Sequence, residues 1–246
     1  MKVECAELSL IGGRKENQDR VAVARADDSV LLIAVDGMGG HAGGARAAAV
    51  AVETIGDSFR RATAPLFDPL GFLHLTVGRA HVRIAQLGVG VKMEDRPRAT
   101  CAICLVQDGT AFFAHVGDSR IYHLRERAIH DRTRDHSHVE LLLQEGLITE
   151  AEIPDHPMRN FVECCLGGSY ALPGMTVGSA RRLSPGDLVM VCTDGFWSGL
   201  DDADVATFGA GGEPVDISLR RLAEQAVRNS GPYSDNTSAA GLRWLG

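Results

Sequence analysis

Two stretches of this chain, SVLLIAVDG and LVMVCTDG, run apolar without alternation and end on Asp-Gly. A strand with one wet face alternates, so an unbroken apolar run reads as a strand buried on both faces. Strands of that kind need packed layers on either side. An aspartate closing such a strand is costly unless a cation or hydrogen bonds meet it. Asp-Gly is also ordinary turn chemistry, and Asp36 or Asp194 taken alone reads as a turn residue. Two apolar runs that end the same way make a shared cation the economical explanation. Asp235, in YSDNTSA, stands just before the last apolar run and joins them.

The rest of the chain supplies the layers. Segments 3–11 and 20–25 read as strands around the polar turn GGRKENQD. Ala48, Val52, Ile55 and Phe59 recur at helical spacing in ARAAAVAVETIGDSF. A second helix is expected from Asp68, with Pro69 suited to its first turn. Residues 88–98 read as a loop. TCAICLV and TAFFAHV flank Asp108-Gly109, a strong hairpin signal. Ser137 is expected to cap a short helix that stops at Gly146, and Thr149 with Glu152 to form a capping box. Strands are expected at 175–183 and 188–193, joined by Ser184-Pro185-Gly186-Asp187. A helix in ISLRRLAEQAVRN and a strand in TSAAGLRWL close the chain. Tight turns between strands mean antiparallel pairing, so a doubly wound parallel sheet is excluded. Two antiparallel sheets faced by helices is the expected architecture.

Composition narrows the function. At 246 residues the chain is one large domain or two small ones. Asp and Glu total 32 against 25 Lys and Arg, a balance unsuited to a nucleic-acid backbone. No apolar run approaches the ~18 residues of a membrane span, and the N-terminus lacks a signal-peptide core. Cys101 and Cys104 form the sole C-x-x-C, but on a strand they face opposite ways. Reduced, structural cysteines and a cytoplasmic location are expected. The 28 glycines are an excess, and Gly37, Gly39, Gly40, Gly43 and Gly44 crowd the first Asp-Gly.

Other chemistries fail on spacing. No P-loop is present, and DGMGGHAGG has Ala42 where a dinucleotide fingerprint needs its third glycine. No cysteine precedes an arginine by six positions, and no G-x-S-x-G occurs. Asp19 and Asp118 add two further carboxylates to Asp36, Asp194 and Asp235. The three strongest sites have no neighbouring His or Cys, so hard cations such as Mg²⁺, Mn²⁺ or Ca²⁺ fit better than zinc.

Five motifs occur in order: RKENQD at 14–19, DGMGGH at 36–41, GDSR at 117–120, TDG at 193–195 and SDN at 234–236. Together they resemble the metal-dependent protein phosphatases of the 2C type. RDHS at 134–137, EGLIT at 145–149 and HPMRN at 156–160 resemble the bacterial branch. Each motif is weak alone, and their order carries the resemblance, which spans about positions 8 to 243.

The resemblance implies an α+β fold, a four-layer α-β-β-α sandwich of two antiparallel sheets with helices outside. It implies one domain over 1–246, with 137–160 a flap-like segment. The activity implied is hydrolysis of phosphoserine and phosphothreonine in proteins by a hydroxide bridging two divalent cations, Mn²⁺ or Mg²⁺. Such an enzyme opposes a bacterial serine/threonine kinase in signalling. By the same resemblance Asp36 bridges two ions and the Gly37 carbonyl serves one of them. Asp194 and Asp235 serve the other, and Asp118 a third, weaker site. Asp19 orients metal-bound water, and Arg14 grips the substrate phosphate. Phosphorylated proteins are the expected partners, with no nucleic acid and no membrane, and a monomer is expected.

Met38 stands where eukaryotic members often carry a histidine proposed as general acid. Methionine cannot donate a proton, so the acid is left unassigned, with His41 nearby in sequence. His115 and His136 read as structural or flap residues. The alternative reading is a non-catalytic, phosphatase-like regulatory or binding module.

Overall fold

The computed structural model describes residues 1–38, 42–178 and 181–246. In chain order the first strands are β1 (Val3–Leu10), β2 (Arg20–Ala26), β3 (Ser29–Val35) and β4 (Gly37–Met38). Helices α1 (Ala42–Arg61) and α2 (Pro69–Leu87) follow. Next come β5 (Arg98–Ala99), β6 (Cys101–Gln107), β7 (Thr110–Val116), β8 (Arg120–Arg125) and β9 (Ala128–Arg132). Helix α3 (His138–Gln144) precedes three two-residue strands, β10 (Leu166–Gly167), β11 (Thr176–Val177) and β12 (Arg181–Arg182). The chain closes with β13 (Leu188–Cys192), α4 (Asp194–Trp197), α5 (Asp202–Val205), α6 (Val215–Ser230) and β14 (Thr237–Trp244).

The strands form two main antiparallel sheets. One has the order β1–β14–β13–β8–β9, and the other β11–β7–β6–β3–β2, with β12 also on β7. A small ladder, β10–β5–β4, lies beside them. Every residue of β3 is buried, and its faces explain why. Leu32 and Ala34 pack between the sheets with Val189, Val191, Ala240 and Leu242. Leu31 and Ile33 pack on the other face with Ile55, Leu73, Val77 and Ile84 of α1 and α2. A third core joins Met190 and Cys192 to Leu219 and Leu222 of α6. Three cores between four layers make the α-β-β-α sandwich expected from the sequence.

Local chemistry sets the boundaries. Asp68 caps α2 by accepting the Gly71 N–H at 2.9 Å, ahead of Pro69. The Thr149–Glu152 capping box is formed, and Ser137 caps α3. Asp108 and Gly109 both take positive φ, 50° and 65°, as a two-residue hairpin requires. A second hairpin, β8 to β9, turns on Glu126 and Arg127 at φ 51° and 63°. It carries no glycine or asparagine, so its turn is not legible from residue type alone. The strand expected at 175–183 is instead two short pieces, β11 and β12. Both pair with β7, and the register shifts by one residue between them, which breaks the ladder. Ser179 and Ala180 of that segment lie outside the described residues.

Cys101 belongs to the helix-side core and Cys104 to the core between the sheets. The two thiols therefore face apart, and all six cysteines are unpaired. No helix among the described residues is long and apolar enough to cross a membrane.

Candidate active site

Antiparallel pairing brings the carboxylates to one end of the sandwich. Asp36 follows β3, and Asp19 precedes β2, whose Arg20 pairs with Val35 at the end of β3. Asp194 follows β13, and Asp235 lies two residues before β14, whose Ala239 pairs with Cys192 at the end of β13. Asp118 precedes β8, whose Arg120 also pairs with Cys192. The two sheets meet where the Thr193 hydroxyl donates to Asp19 Oδ2 at 2.7 Å.

Backbone contacts hold this end closed. Asn236 donates from Nδ2 to the carbonyls of Ile11 and Glu16 at 2.9 and 3.0 Å, and its Oδ1 accepts the Gln18 N–H at 2.8 Å. It thereby staples the RKENQD turn to the start of β14. A Cβ on Gly195 would sit 2.2 Å from the Asn236 carbonyl oxygen, so only glycine allows these segments to touch. Gly37 is confined in the same way, with a Cβ placed 2.1 Å from the Gly44 oxygen. Thr100 fixes Asp36 from both sides. Its N–H donates to the Asp36 carbonyl at 2.9 Å, and its Oγ1 accepts the Asp36 N–H at 3.2 Å.

The side chains form one electrostatic group. Burial pushes the Asp36 carboxyl well above its ordinary value, and Asp194, Asp19, Asp118 and Asp235 push it further. Asp118 is raised to about 8 by burial and by Asp194 and Asp135. Asp19, fully enclosed, is raised to about 7 by burial against the pull of bonds from Thr193 and Ser238. Asp194 is raised to about 6 by burial and Asp235. Arg14 donates to Asp235 Oδ2 at 2.7 Å, and this bond, then Asp194 and Asp36, favour its charged form. Its side chain stays 57% exposed, at the mouth of the group.

Among the described residues no three His, Cys, Asp or Glu side chains are already drawn together tightly enough to hold an ion alone. The carboxylates are nonetheless close enough to raise one another. Carboxylate and carbonyl oxygens of this kind fit a hard divalent cation, whose charge would relieve that repulsion.

The chain matches the model of the family described as "Protein phosphatase 2C" over residues 9–230. The chain belongs to the protein phosphatase 2C family. It is 30% identical to protein phosphatase PhpP of Streptococcus pneumoniae over 251 residues, covering 97% of this chain and 96% of that one. It is 31% identical to serine/threonine protein phosphatase PstP of Mycobacterium tuberculosis over 92% of this chain, but spans 44% of PstP. Among solved structures, the S. agalactiae serine/threonine phosphatase superposes with a TM-score of 0.90 at 28% identity, covering both chains fully. The catalytic domain of PstP in complex with two manganese ions superposes at 0.82 and 27% identity, over 99% of each chain. The family is that of the metal-dependent protein serine/threonine phosphatases, and its sandwich fold is the one found here.

Within this 2C chain, sequence reasoning missed the residues that support Asp118. Trp197 Nε1 donates to the Asp118 carbonyl at 2.9 Å. Arg120 lies 3.4 Å over the Trp197 ring and forks onto Asp135 at 2.8 and 2.7 Å. His136 clasps Gly117, donating from its N–H to the Gly117 carbonyl and accepting the Gly117 N–H on Nδ1. GDSR and RDHS are therefore halves of one clamp, visible only as separate motifs in the sequence. Segment 137–160 is rooted in the same place. Ser137 bridges to Val162, and Glu163 donates to the His136 carbonyl. Met38 pairs with Arg98 on β5, and His41 lies outside the described residues.

Proposed function

We propose that this chain is one phosphatase domain, residues 1–246, that hydrolyses phosphoserine and phosphothreonine in proteins. One observation carries the reading: an exposed arginine, Arg14, is bonded to Asp235 at the mouth of a group of carboxylates from the ends of five strands. In this reading Asp36, the Gly37 carbonyl, Asp194 and Asp235 hold two divalent cations, Mn²⁺ or Mg²⁺, and Asp118 holds a third. When bound, such ions lower the pKa of water so that hydroxide is available near neutral pH, and they offset phosphoryl charge.

The chain's own residues do the rest. Arg14 presents a planar fork to the phosphoryl oxygens, which a lysine point charge would not match. Its bond to Asp235 pre-sets that fork before substrate arrives. Asp19 is anchored by Thr193 and orients the attacking water as a fixed acceptor. Segment 137–160, rooted beside Asp118, acts as a flap over the substrate. Met38 donates no proton, so the leaving alkoxide takes its proton from water or another residue.

Substrates are phosphoproteins of a bacterial serine/threonine kinase, met in the cytoplasm by a monomer. The complete carboxylate set supports an enzyme over a non-catalytic binding module. Hydrolysis of a phosphothreonine peptide with and without Mn²⁺ tests this. The expected result is turnover that depends on Mn²⁺. Absence of Mn²⁺ binding by calorimetry would falsify the enzyme reading.

A further inference from the structure

Helix α2 is apolar on two opposite faces. Leu73, Val77, Ala80 and Ile84 turn inward and are fully buried. Leu75 and Val82 stand two positions from Val77 and Ile84, about half a turn round the helix, and are 60% and 44% exposed. A surface helix ordinarily keeps that outer face polar. Here the outer apolar stripe lies along an open trough of about 900 Å³ between α1 and α2. Ala62, Phe72, Tyr170 and Leu172 supply the rest of its apolar lining.

Gly78 keeps the trough open. It sits in the middle of α2, where glycine is among the poorest helix formers. A Cβ there would meet only Leu172 Cδ1, at 3.8 Å, which is an ordinary contact. Neither backbone conformation nor packing within the fold therefore calls for glycine. What a side chain at 78 would take away is room in the trough.

The margins carry charge of one sign. Helix α2 has no acidic residue among its 19, in a chain that has 32. Arg79 and Arg83 line the trough and make no ion pair among the described residues. Arg61 joins them from α1, and Asp57, the carboxylate among the lining residues, is held by Arg60. The trough is thus cationic in a chain of formal charge −7. Its two long walls are helices, whose backbone groups are already paired, so an added strand finds no edge to bond. A flat bilayer does not fill a concave surface. We infer that the trough docks an amphipathic helix of a partner protein. That helix lays apolar residues at i, i+3, i+4 and i+7 into the trough and sets Asp or Glu beside Arg61, Arg79 and Arg83.

The trough stands apart from the carboxylates. Gly44, near the start of α1, touches Gly37, and Ser58 in the trough wall is about 21 Å further along that helix. An occupant therefore leaves the carboxylate end free. A phosphoprotein held in the trough by one segment presents its phosphorylated residue at raised local concentration. This use rests on the phosphatase reading, and the binding itself does not.

Fluorescence anisotropy on the manganese-loaded chain tests the binding. The probe is a labelled synthetic peptide of about 15 residues with Leu at i, i+3, i+4 and i+7 and Glu elsewhere. Expected is saturable binding below about 1 mM, at least about tenfold weaker for the same peptide with Lys in place of Glu. Gly78→Leu fills the trough and should weaken binding about tenfold or more, as should Arg79→Glu combined with Arg83→Glu. Both variants should leave para-nitrophenyl phosphate hydrolysis unchanged. The two arginines are exposed, so the double variant covers the case of a Gly78→Leu chain that does not fold. Absence of binding in that range overturns the proposal. So does equal binding of the Glu and Lys peptides, or binding that survives both variants. Adsorption to phosphatidylglycerol vesicles without peptide binding overturns it in favour of a membrane surface. A bound peptide that, joined to a phosphothreonine peptide, leaves the KM for hydrolysis unmoved overturns the tethering alone.

Discussion

Asp36-Gly37 and Asp108-Gly109 are the same dipeptide at the ends of two fully buried, neighbouring strands, β3 and β6. At 108–109 both residues take positive φ and make a tight hairpin. At 36–37 the chain runs on into β4, and glycine is there because Gly44 touches its α-carbon. The pairing Ser29↔Gln107 shows why their fates diverge. Antiparallel neighbours finish at opposite ends of a sheet, so Asp108 lies at the far end from Asp36. Asp194-Gly195, in the other sheet, finishes at the same end as Asp36. A carboxylate is brought into the site by strand direction and not by the residues beside it.

The largest expected effect separates the two ends directly. Asp36→Asn and Asp194→Asn should each lower kcat/KM for para-nitrophenyl phosphate with Mn²⁺ by about 10²–10³-fold or more. Asp108→Asn should leave it unchanged, because asparagine also tolerates a left-handed turn. Equal losses at all three positions would break the comparison.

Stability against pH comes next. Asp19 is raised from 3.8 to about 7 and Asp118 from 3.8 to about 8 in the fold. Between those values the folded chain holds protons that the unfolded chain has released, so stability falls as pH rises. The unfolding free energy of the chelator-treated chain, measured by urea denaturation, should therefore drop by a few kcal/mol in all from pH 4 to pH 8. Added Mn²⁺ should remove most of that slope, and Asp118→Asn should reduce it without metal. A flat profile would show that the carboxylates do not repel one another as described.

The glycines give a smaller contrast. Gly195→Ala places a methyl against the Asn236 oxygen and should cost about 3 kcal/mol, with loss of activity. Gly109→Ala strains one left-handed residue, at about 1–2 kcal/mol by urea denaturation, with activity kept. Smallest is Trp197→Phe, which keeps the ring under Arg120 but removes the N–H to Asp118. It should raise the Mn²⁺ concentration for half-maximal turnover about tenfold, leaving kcat at saturating Mn²⁺ nearly unchanged.

Much of the fold was legible because it is local. The unbroken apolar runs announced strands covered on both faces, and β3 has a core on each. Caps at Asp68, Ser137 and Thr149 marked helix starts, since each depends on a hydroxyl or carboxylate three residues from its donor. The β8–β9 hairpin was hidden because Glu126 and Arg127 adopt a turn that neither favours alone. The five aspartates were readable as candidates. Their supports, Thr100, Asn236, Trp197 and the Arg120–Asp135 fork, were not, because each bond spans elements remote in sequence.

The sequence by itself determined which residues are apolar enough to form layers and which carboxylates end them. It also carried the ordered motifs that mark the 2C family. Only the tertiary structure decided which Asp-Gly faces which end, and that two motifs close on one another around Asp118. The reason is range. Periodicity and capping act over a few residues, whereas charge repulsion, close backbone approach and cavities belong to segments that meet only after the sheets have stacked.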